Sequence, residues 1–72
     1  NIKAYPNPTA GKIEINLNEG MTLHLVEVYD LNSQLIDEFR SKEISINRLK
    51  KGAYFLKVYY DDNLEILKIF KH

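Results

Sequence analysis

The chain has 72 residues, of which 44 % are hydrophobic and 28 % are charged, a composition typical of one small globular domain rather than of a disordered or membrane-spanning chain. A domain of this size buries only about 60 % of the surface that its unfolded chain exposes, which leaves little interior for an enclosed catalytic pocket. Ten Lys and Arg balance ten Asp and Glu, so no net charge attracts the chain to nucleic acid or to anionic lipid.

Short runs rich in Ile, Leu, Val and Tyr alternate along the chain with clusters of Gly, Pro, Asn and Asp, a pattern typical of an all-β sandwich or barrel. The first connection contains Pro6 and Pro8, which lack backbone N–H donors, so we expect residues 6–11 to form a rigid, extended and exposed connection at a sheet edge. The pattern predicts no helix and seven strands, at residues 2–5, 12–17, 22–30, 34–39, 43–47, 53–60 and 64–71.

The alternation of apolar and polar residues predicts which side chains face the core. In residues 12–17 and 43–47 every isoleucine falls on one face of the strand and the polar residues fall on the other. The third strand changes parity between its leucines and its valines, so either both of its faces are covered or a bulge shifts its register near Leu25.

Residues 48–52 are compatible with a helical turn or with a loop that places Leu49 in the core and uses Gly52 for a positive φ. We favour the loop. Tyr54 follows this glycine at the position of the tyrosine corner of immunoglobulin-like sandwiches, so we expect a buried side chain whose hydroxyl bonds to upstream backbone. Lys57 is expected on the outer face, because burying an unpaired ammonium is costly.

Side chains alternate between the two faces of a strand, so an outward Lys57 in the sixth strand predicts that its neighbours of the other parity face the core. These are Tyr54, Leu56 and Val58, whereas Tyr59 is expected to face outward. In the last strand, Leu67 and Ile69 are expected to pack in the core. Lys68 and Lys71 are expected to display charge near the chain end, where a lysine stem can cover apolar surface while its ammonium reaches water.

Neither a metal site nor a catalytic site is predicted, and we expect no enzyme activity and no cofactor. The two histidines, His24 and His72, lie far apart, and His24 is expected to face solvent on its strand. Residues 61–63 carry three oxygen side chains but lack the ligand spacing of a calcium loop, so a hairpin turn is the favoured interpretation. No Cys and no Gly-x-Ser-x-Gly motif is present.

The five tyrosines raise the alternative of a stacking surface for bases or sugars. Surfaces of that kind need interleaved basic residues. Tyr29 is followed by Asp30 and Tyr60 by Asp61, so nucleic-acid binding is disfavoured.

The chain begins at Asn1 without methionine, and it contains no signal-peptide pattern and no apolar run of the about 18 residues that a membrane-spanning helix needs. We therefore expect residues 1–72 to be one domain cut from a longer protein. The absence of cysteine excludes disulfides but leaves the compartment open.

Four motifs occur in an order that resembles the C-terminal sorting domain of type IX secretion cargo, the type A family or Por secretion tail, over residues 2–72. The motifs are Tyr5-Pro6-Asn7-Pro8-Thr9 with Gly11-Lys12, Val28-Tyr29-Asp30-Leu31, Leu49 with Gly52-Ala53-Tyr54-Phe55, and Lys68-Ile69-Phe70-Lys71.

This resemblance implies a seven-stranded immunoglobulin-like antiparallel sandwich that labels an exported cargo. In such proteins the cargo reaches the periplasm of a Gram-negative bacterium, and machinery that recognises the folded tail passes it through the outer membrane to the cell surface or the medium. A cell-surface sortase then usually removes the tail. No membrane insertion of the tail itself is implied.

Carried over residue by residue, the resemblance implies a set of sorting-motif residues: Pro6, Asn7, Pro8, Gly11, Gly52, Tyr54, Lys68 and Lys71. One turn departs from the family, which usually has Asp-Leu-x-Gly where this chain has Asp30-Leu31-Asn32-Ser33. Ser33 thus occupies the place of a glycine that tight turns favour, which puts the geometry of this turn in doubt.

A different class of function is an accessory binding module of the fibronectin type III kind, which would hold a glycan or a protein through outward tyrosines such as Tyr29 and Tyr59. The cargo, the site of any cleavage, the secretion component that binds the tail and the oligomeric state are not determined by the sequence.

Overall fold

The computed structural model describes residues 2–72, which form seven strands and no helix. Each predicted strand is confirmed, with ends that differ by at most two residues. None of these residues belongs to a helix that could cross a membrane. The strands are β1 (Lys3–Tyr5), β2 (Lys12–Asn16), β3 (Leu23–Tyr29), β4 (Leu35–Phe39), β5 (Glu43–Ser45), β6 (Gly52–Tyr60) and β7 (Asn63–Lys71).

The strands form two antiparallel sheets that pack face to face as the predicted sandwich. One sheet has three strands in the order β1-β2-β5, and the other has four in the order β4-β3-β6-β7. The strands β1 and β7 are therefore edge strands, and they contact each other along one side of the sandwich.

The core lies between the inner faces of the two sheets, and it contains the side chains that the alternation placed there. The isoleucines of β2 and β5 are buried, and Leu67 packs against the core from β7, as expected. Twelve buried apolar residues form the cluster: Ile2, Ile13, Ile15, Val26, Val28, Ile44, Ile46, Tyr54, Leu56, Val58, Tyr60 and Ile69.

A bulge in β3 explains its change of parity. The register against β6 shifts between Leu23, which packs against the core, and Leu25, which lies opposite Tyr59 on the outer face. The extra residue between them is His24, whose side chain is exposed as predicted. An inserted residue of this kind moves all later side chains of a strand to the other face, so Val26 and Val28 point inward.

The turn between β3 and β4 closes without a glycine. Ser33 adopts a left-handed backbone with φ 64°, a conformation that Asn, Asp and Gly accept more readily than Ser. Asp30 compensates, because its Oδ1 accepts the N–H groups of Asn32 at 2.8 Å and Gln34 at 3.0 Å. The backbone N–H of Ser33 also donates to the carbonyl of Asp30 at 3.1 Å.

The hairpin between β6 and β7 confirms the turn expected at residues 61–63. Asp61 and Asp62 connect Tyr60 to its partner Asn63, and Asp61 has φ 50°. The Asp61 carboxylate is engaged in the structure, because it accepts the N–H of Thr22 at 2.9 Å.

The segment between β5 and β6 is the predicted loop rather than a helical turn. Leu49 packs against the core, and its N–H donates to the carbonyl of Ile46 at 3.0 Å. Gly52 then starts β6 with φ 144°, which places it outside the range that residues with a Cβ prefer.

Candidate functional site

The connection between β1 and β2 carries the first candidate motif. Pro6, Asn7 and Pro8 lie outside the strands and are exposed, as predicted, and both Tyr5–Pro6 and Asn7–Pro8 are cis peptide bonds. The expectation of an extended segment is wrong, however, because the backbone bends at residues 6–8. This bend turns the segment across the side of the sandwich towards β7.

Asn7 acts as a substitute for a neighbouring strand at the edge of β7. Its Nδ2 donates to the carbonyl of Lys68 at 3.0 Å, and its Oδ1 accepts the N–H of Phe70 at 2.9 Å. One amide side chain therefore satisfies a carbonyl and an N–H that face the open edge of the sheet. The opening and terminal motifs, 61 residues apart in sequence, are joined by these two bonds.

Thr9 continues this contact along β7. Its N–H donates to the carbonyl of Phe70 at 2.8 Å, and its carbonyl accepts the N–H of His72 at 3.0 Å. Its Oγ1 donates to the carbonyl of Lys12 at 2.6 Å and accepts the N–H of Gly11 at 3.0 Å. The side chain is 1 % exposed. We call residues 6–9 the strap.

The predicted site residues did not include Thr9. Its sequence signal is the Thr-x-Gly spacing, because a threonine hydroxyl commonly bonds to backbone two residues later. That signal predicts a local turn, but it does not reveal that Thr9 pairs with Phe70 and His72.

Gly11 is required by a close approach rather than by backbone freedom alone. A Cβ at this position would lie 1.7 Å from Oδ1 of Asn47, and φ is 154°. The carbonyl of Gly11 also accepts the N–H of Ile46 at 2.7 Å. Any other residue would displace Asn47 and disturb the junction between the strap and the end of β5.

Gly52 and Tyr54 lie at the same end of β7 as the strap. Gly52 pairs with Lys71, and Tyr54 pairs with Ile69. The Tyr54 side chain is 7 % exposed, and its hydroxyl donates to the carbonyl of Lys50 at 2.6 Å. The predicted tyrosine corner is confirmed.

The two terminal lysines have different surroundings. The exposed Lys68 places its Nζ 5.4 Å from the ring centroid of Phe70 and 5.9 Å from that of Phe55, as expected for a displayed charge. Lys71 departs from the prediction, because it is partly buried and its Nζ donates to the carbonyl of Leu49 at 2.8 Å. The alternation that turns Ile69 inward also turns Lys71 inward.

The outward tyrosines have their hydroxyls engaged. Both Tyr29 and Tyr59 donate to Oε1 of Glu27, at 3.0 Å and 2.8 Å. These hydrogen bonds are the main reason that the pKa of each phenol lies above its ordinary value, and desolvation is the second reason. Lys57 lies above the Tyr29 ring, with Nζ 4.5 Å from the centroid. The tyrosine hydroxyls that a binding module would offer to a ligand therefore already donate hydrogen bonds within the domain.

The geometry thus brings the predicted motif residues together at one side of the sandwich. Pro6, Asn7 and Pro8 lie in the strap, and Lys68 lies beside it on β7. The remaining members, Gly11, Gly52, Tyr54 and Lys71, lie at the adjoining ends of β2, β6 and β7. Among residues 2–72, no group of three or more His, Cys, Asp or Glu side chains is placed to hold a metal ion.

Comparison with known proteins identifies the family. No curated protein matches the chain. The family model described as "Secretion system C-terminal sorting domain" matches residues 3–72, nearly the whole chain. This match supports the sorting function and gives no support to the binding-module alternative. The chain belongs to the family of C-terminal sorting domains that direct type IX secretion, and its sequence marks a secreted or cell-surface protein.

Proposed function

We propose that residues 1–72 form the single sorting domain at the end of a larger cargo protein, that the folded cargo is exported from the periplasm of a Gram-negative bacterium, and that a cell-surface sortase removes the domain afterwards. Family membership supports the type IX route. The periplasmic stage, the sortase and the attached cargo are the parts that this proposal adds.

The observation that carries the proposal is the pair of bonds from Asn7 to Lys68 and Phe70. They unite the opening and terminal motifs into one surface that exists only in the folded domain. A machinery that binds this surface therefore tests folding and identity in one step, as a signal on folded cargo requires.

The motif residues divide into two roles in this proposal. Exposed Pro6, Pro8 and Lys68, together with the exposed part of Asn7, are contacts for the machinery. The other four residues maintain the geometry of that surface. Gly11 allows the close approach of Asn47, and Gly52 allows the backbone conformation that starts β6. Tyr54 and Lys71 bond to the carbonyls of Lys50 and Leu49, respectively.

The proposed role includes no catalysis by the domain. A groove of about 450 Å³ lies along β2 and β5, and its lining includes the hydroxyl-bearing residues Tyr5 and Ser45. No histidine is among the lining residues to act as the base of a serine nucleophile. The neighbouring Glu14 and Glu43 form a registered pair across β2 and β5 on the outer surface, where water has free access.

A reporter fusion tests the proposal. Residues 1–72 are joined to the end of a periplasmic reporter in a bacterium with type IX secretion, and the same reporter without the tail is the control. We expect the fusion, but not the control, on the cell surface or in the medium. Retention of the fusion in the periplasm would refute the sorting role of this chain.

The proposed cleavage requires a separate comparison. In a strain that lacks sortase activity, the exported reporter is expected to keep its tail, detected by an increase in mass equal to that of the domain. Equal processing in both strains would reject the sortase while leaving the export signal intact.

Variants separate recognition from folding. Lys68→Ala removes an exposed ammonium and is expected to reduce export with little change in melting temperature. Lys51→Ala, which removes another exposed lysine, is the matched control. Equal export of the two variants would exclude Lys68 as a contact.

A further inference from the structure

The outer edge of β7 is covered along only part of its length. In an antiparallel strand, every second residue directs both its N–H and its carbonyl away from the neighbouring strand. The strap binds the carbonyl of Lys68, the N–H and carbonyl of Phe70, and the N–H of His72. By the same alternation, the backbone groups of Leu64 and Ile66 face outward, as does the N–H of Lys68.

These outward groups have no hydrogen-bond partner among residues 2–72. The side chains beside them are apolar and exposed, Leu64 by 48 % and Ile66 by 57 %. Proteins usually protect a free edge with charges, proline or a covering loop. Here the strap protects one half of β7 and leaves Leu64, Ile66 and the Lys68 N–H open to pairing.

A groove of about 260 Å³ lies between β1 and β7 where the strap meets the open half, and its lining includes Asn7, Leu67 and Lys68 but neither Leu64 nor Ile66. Its walls include Ala4 and Leu67, which are partly buried apolar residues that pack against the core. A strand added to the open half of β7 would direct its inward side chain nearest the strap towards this groove. The groove therefore favours an apolar side chain at the strap end of an added strand.

The other face of an added strand would lie beside the ammonium group of Lys68. The ammonium groups of Lys57 and Lys68 lie above aromatic rings, and neither has a carboxylate at ion-pair distance among residues 2–72. Glu27, the carboxylate opposite Lys57 in the sheet, accepts two tyrosine hydroxyls instead. A carboxylate on the added strand would complement the charge of Lys68.

We propose that the open half of β7 binds an extended segment of a secretion-machinery protein by strand addition, with an apolar side chain at its strap end in the groove between β1 and β7 and a carboxylate beside Lys68. This inference rests on the proposed function, since it names the chemistry of the partner. Main-chain hydrogen bonds supply affinity, and the groove and Lys68 supply specificity. The strap fixes one end of the added strand, because pairing stops where Asn7 already binds the Lys68 carbonyl.

Export of the reporter fusion tests the proposal through substitutions at position 66. Ile66→Pro removes an outward N–H that makes no bond within the described residues, so an edge strand can accept it. Ile66→Lys keeps the N–H but places a charge on the edge, which opposes strand pairing. Ile66→Thr keeps both the N–H and the strand preference and is the matched control.

We expect export to fall at least about tenfold for Ile66→Pro and Ile66→Lys, with melting temperatures close to that of the unchanged domain, and to persist for Ile66→Thr. Leu35→Lys adds the same charge on β4, the other edge of this sheet, where the side chain is 47 % exposed. It should be exported normally. If Ile66→Pro unfolds, Ile66→Lys carries the test.

Binding in solution gives a second readout. The probe is a short synthetic peptide that alternates valine and threonine and has one glutamate, and its counterpart has lysine in place of the glutamate. With peptide at about millimolar concentration, amide NMR should show the largest shifts and slowed hydrogen exchange at Leu64, Ile66 and Lys68. The glutamate peptide should bind about fivefold more tightly than the lysine peptide.

The outcomes separate this inference from the proposed function. Failure of the unchanged fusion to leave the periplasm removes the sorting role itself. Export of the unchanged fusion together with equal export of Ile66→Lys and Ile66→Thr overturns strand addition alone. Peptide shifts confined to the β4 edge, no shifts at all, or formation of a β7-to-β7 dimer instead of a peptide complex would also overturn it.

Discussion

Removal of the Tyr54 hydroxyl isolates the contribution of the tyrosine corner to stability. In Tyr54→Phe the buried ring is retained, while the 2.6 Å bond to the carbonyl of Lys50 is lost. A hydrogen bond of this kind contributes about 1 kcal/mol net, and a carbonyl left unpaired out of water adds up to about 2 kcal/mol. Lys50 is exposed, so water can replace the hydroxyl, and we expect a loss of about 1 kcal/mol.

For a domain of this length, that loss lowers the melting temperature by about 4–8 °C. Thermal denaturation followed by circular dichroism measures it. Tyr5→Phe is the matched control, because the Tyr5 side chain is 45 % exposed and its change should stay within about 0.5 kcal/mol. Equal melting temperatures for the two variants would show that the Tyr54 bond does not stabilise the fold.

Three further predictions follow from contacts described above. Ser33→Gly should raise the free energy of unfolding by about 1 kcal/mol, and with it the melting temperature, because glycine adopts the left-handed backbone without strain. An unchanged or lower melting temperature in calorimetry would contradict this. Lys71→Ala should lower the unfolding midpoint in urea, because the carbonyl of Leu49 loses its donor, whereas exposed Lys68→Ala should not; equal midpoints would argue against this difference. The hydrogen bond to Glu27 is the main cause of the raised pKa of Tyr59, so the protonated phenol stabilises the fold fully below pH about 10 and this stabilisation is lost as pH rises through the folded-state pKa. Tyr59→Phe should therefore show a weaker pH dependence of alkaline unfolding, and a profile identical to that of the unchanged domain would contradict this linkage.

The strands and the core could be predicted because they depend on local patterns. Alternation in residues 12–17 and 43–47 determines which side faces the core, since side chains alternate between the two faces of a strand. The change of parity at Leu25 likewise predicted a bulge as one of two solutions. Tyr54 could be assigned because its hydroxyl bonds only four residues upstream.

The strap could not be predicted, because its bonds join residues about one chain length apart. The resemblance places Asn7 and Lys68 in one set of motif residues, but it does not reveal a hydrogen bond across 61 positions. The sequence predicts displayed charge at Lys71 because a lysine ammonium usually reaches water, although its parity equals that of inward-facing Ile69. At the end of a small sandwich, an inward lysine can reach a loop carbonyl, here that of Leu49, without losing contact with water.

The strap makes one surface of the domain depend on residues 68–72. Asn7 and Thr9 are synthesised well before their partners Lys68, Phe70 and His72. A polypeptide interrupted before residue 68 lacks the backbone groups with which Asn7 and Thr9 pair. Loss of residues 68–72 would thus remove the surface that the strap and β7 form together, and with it the contact proposed for the secretion machinery.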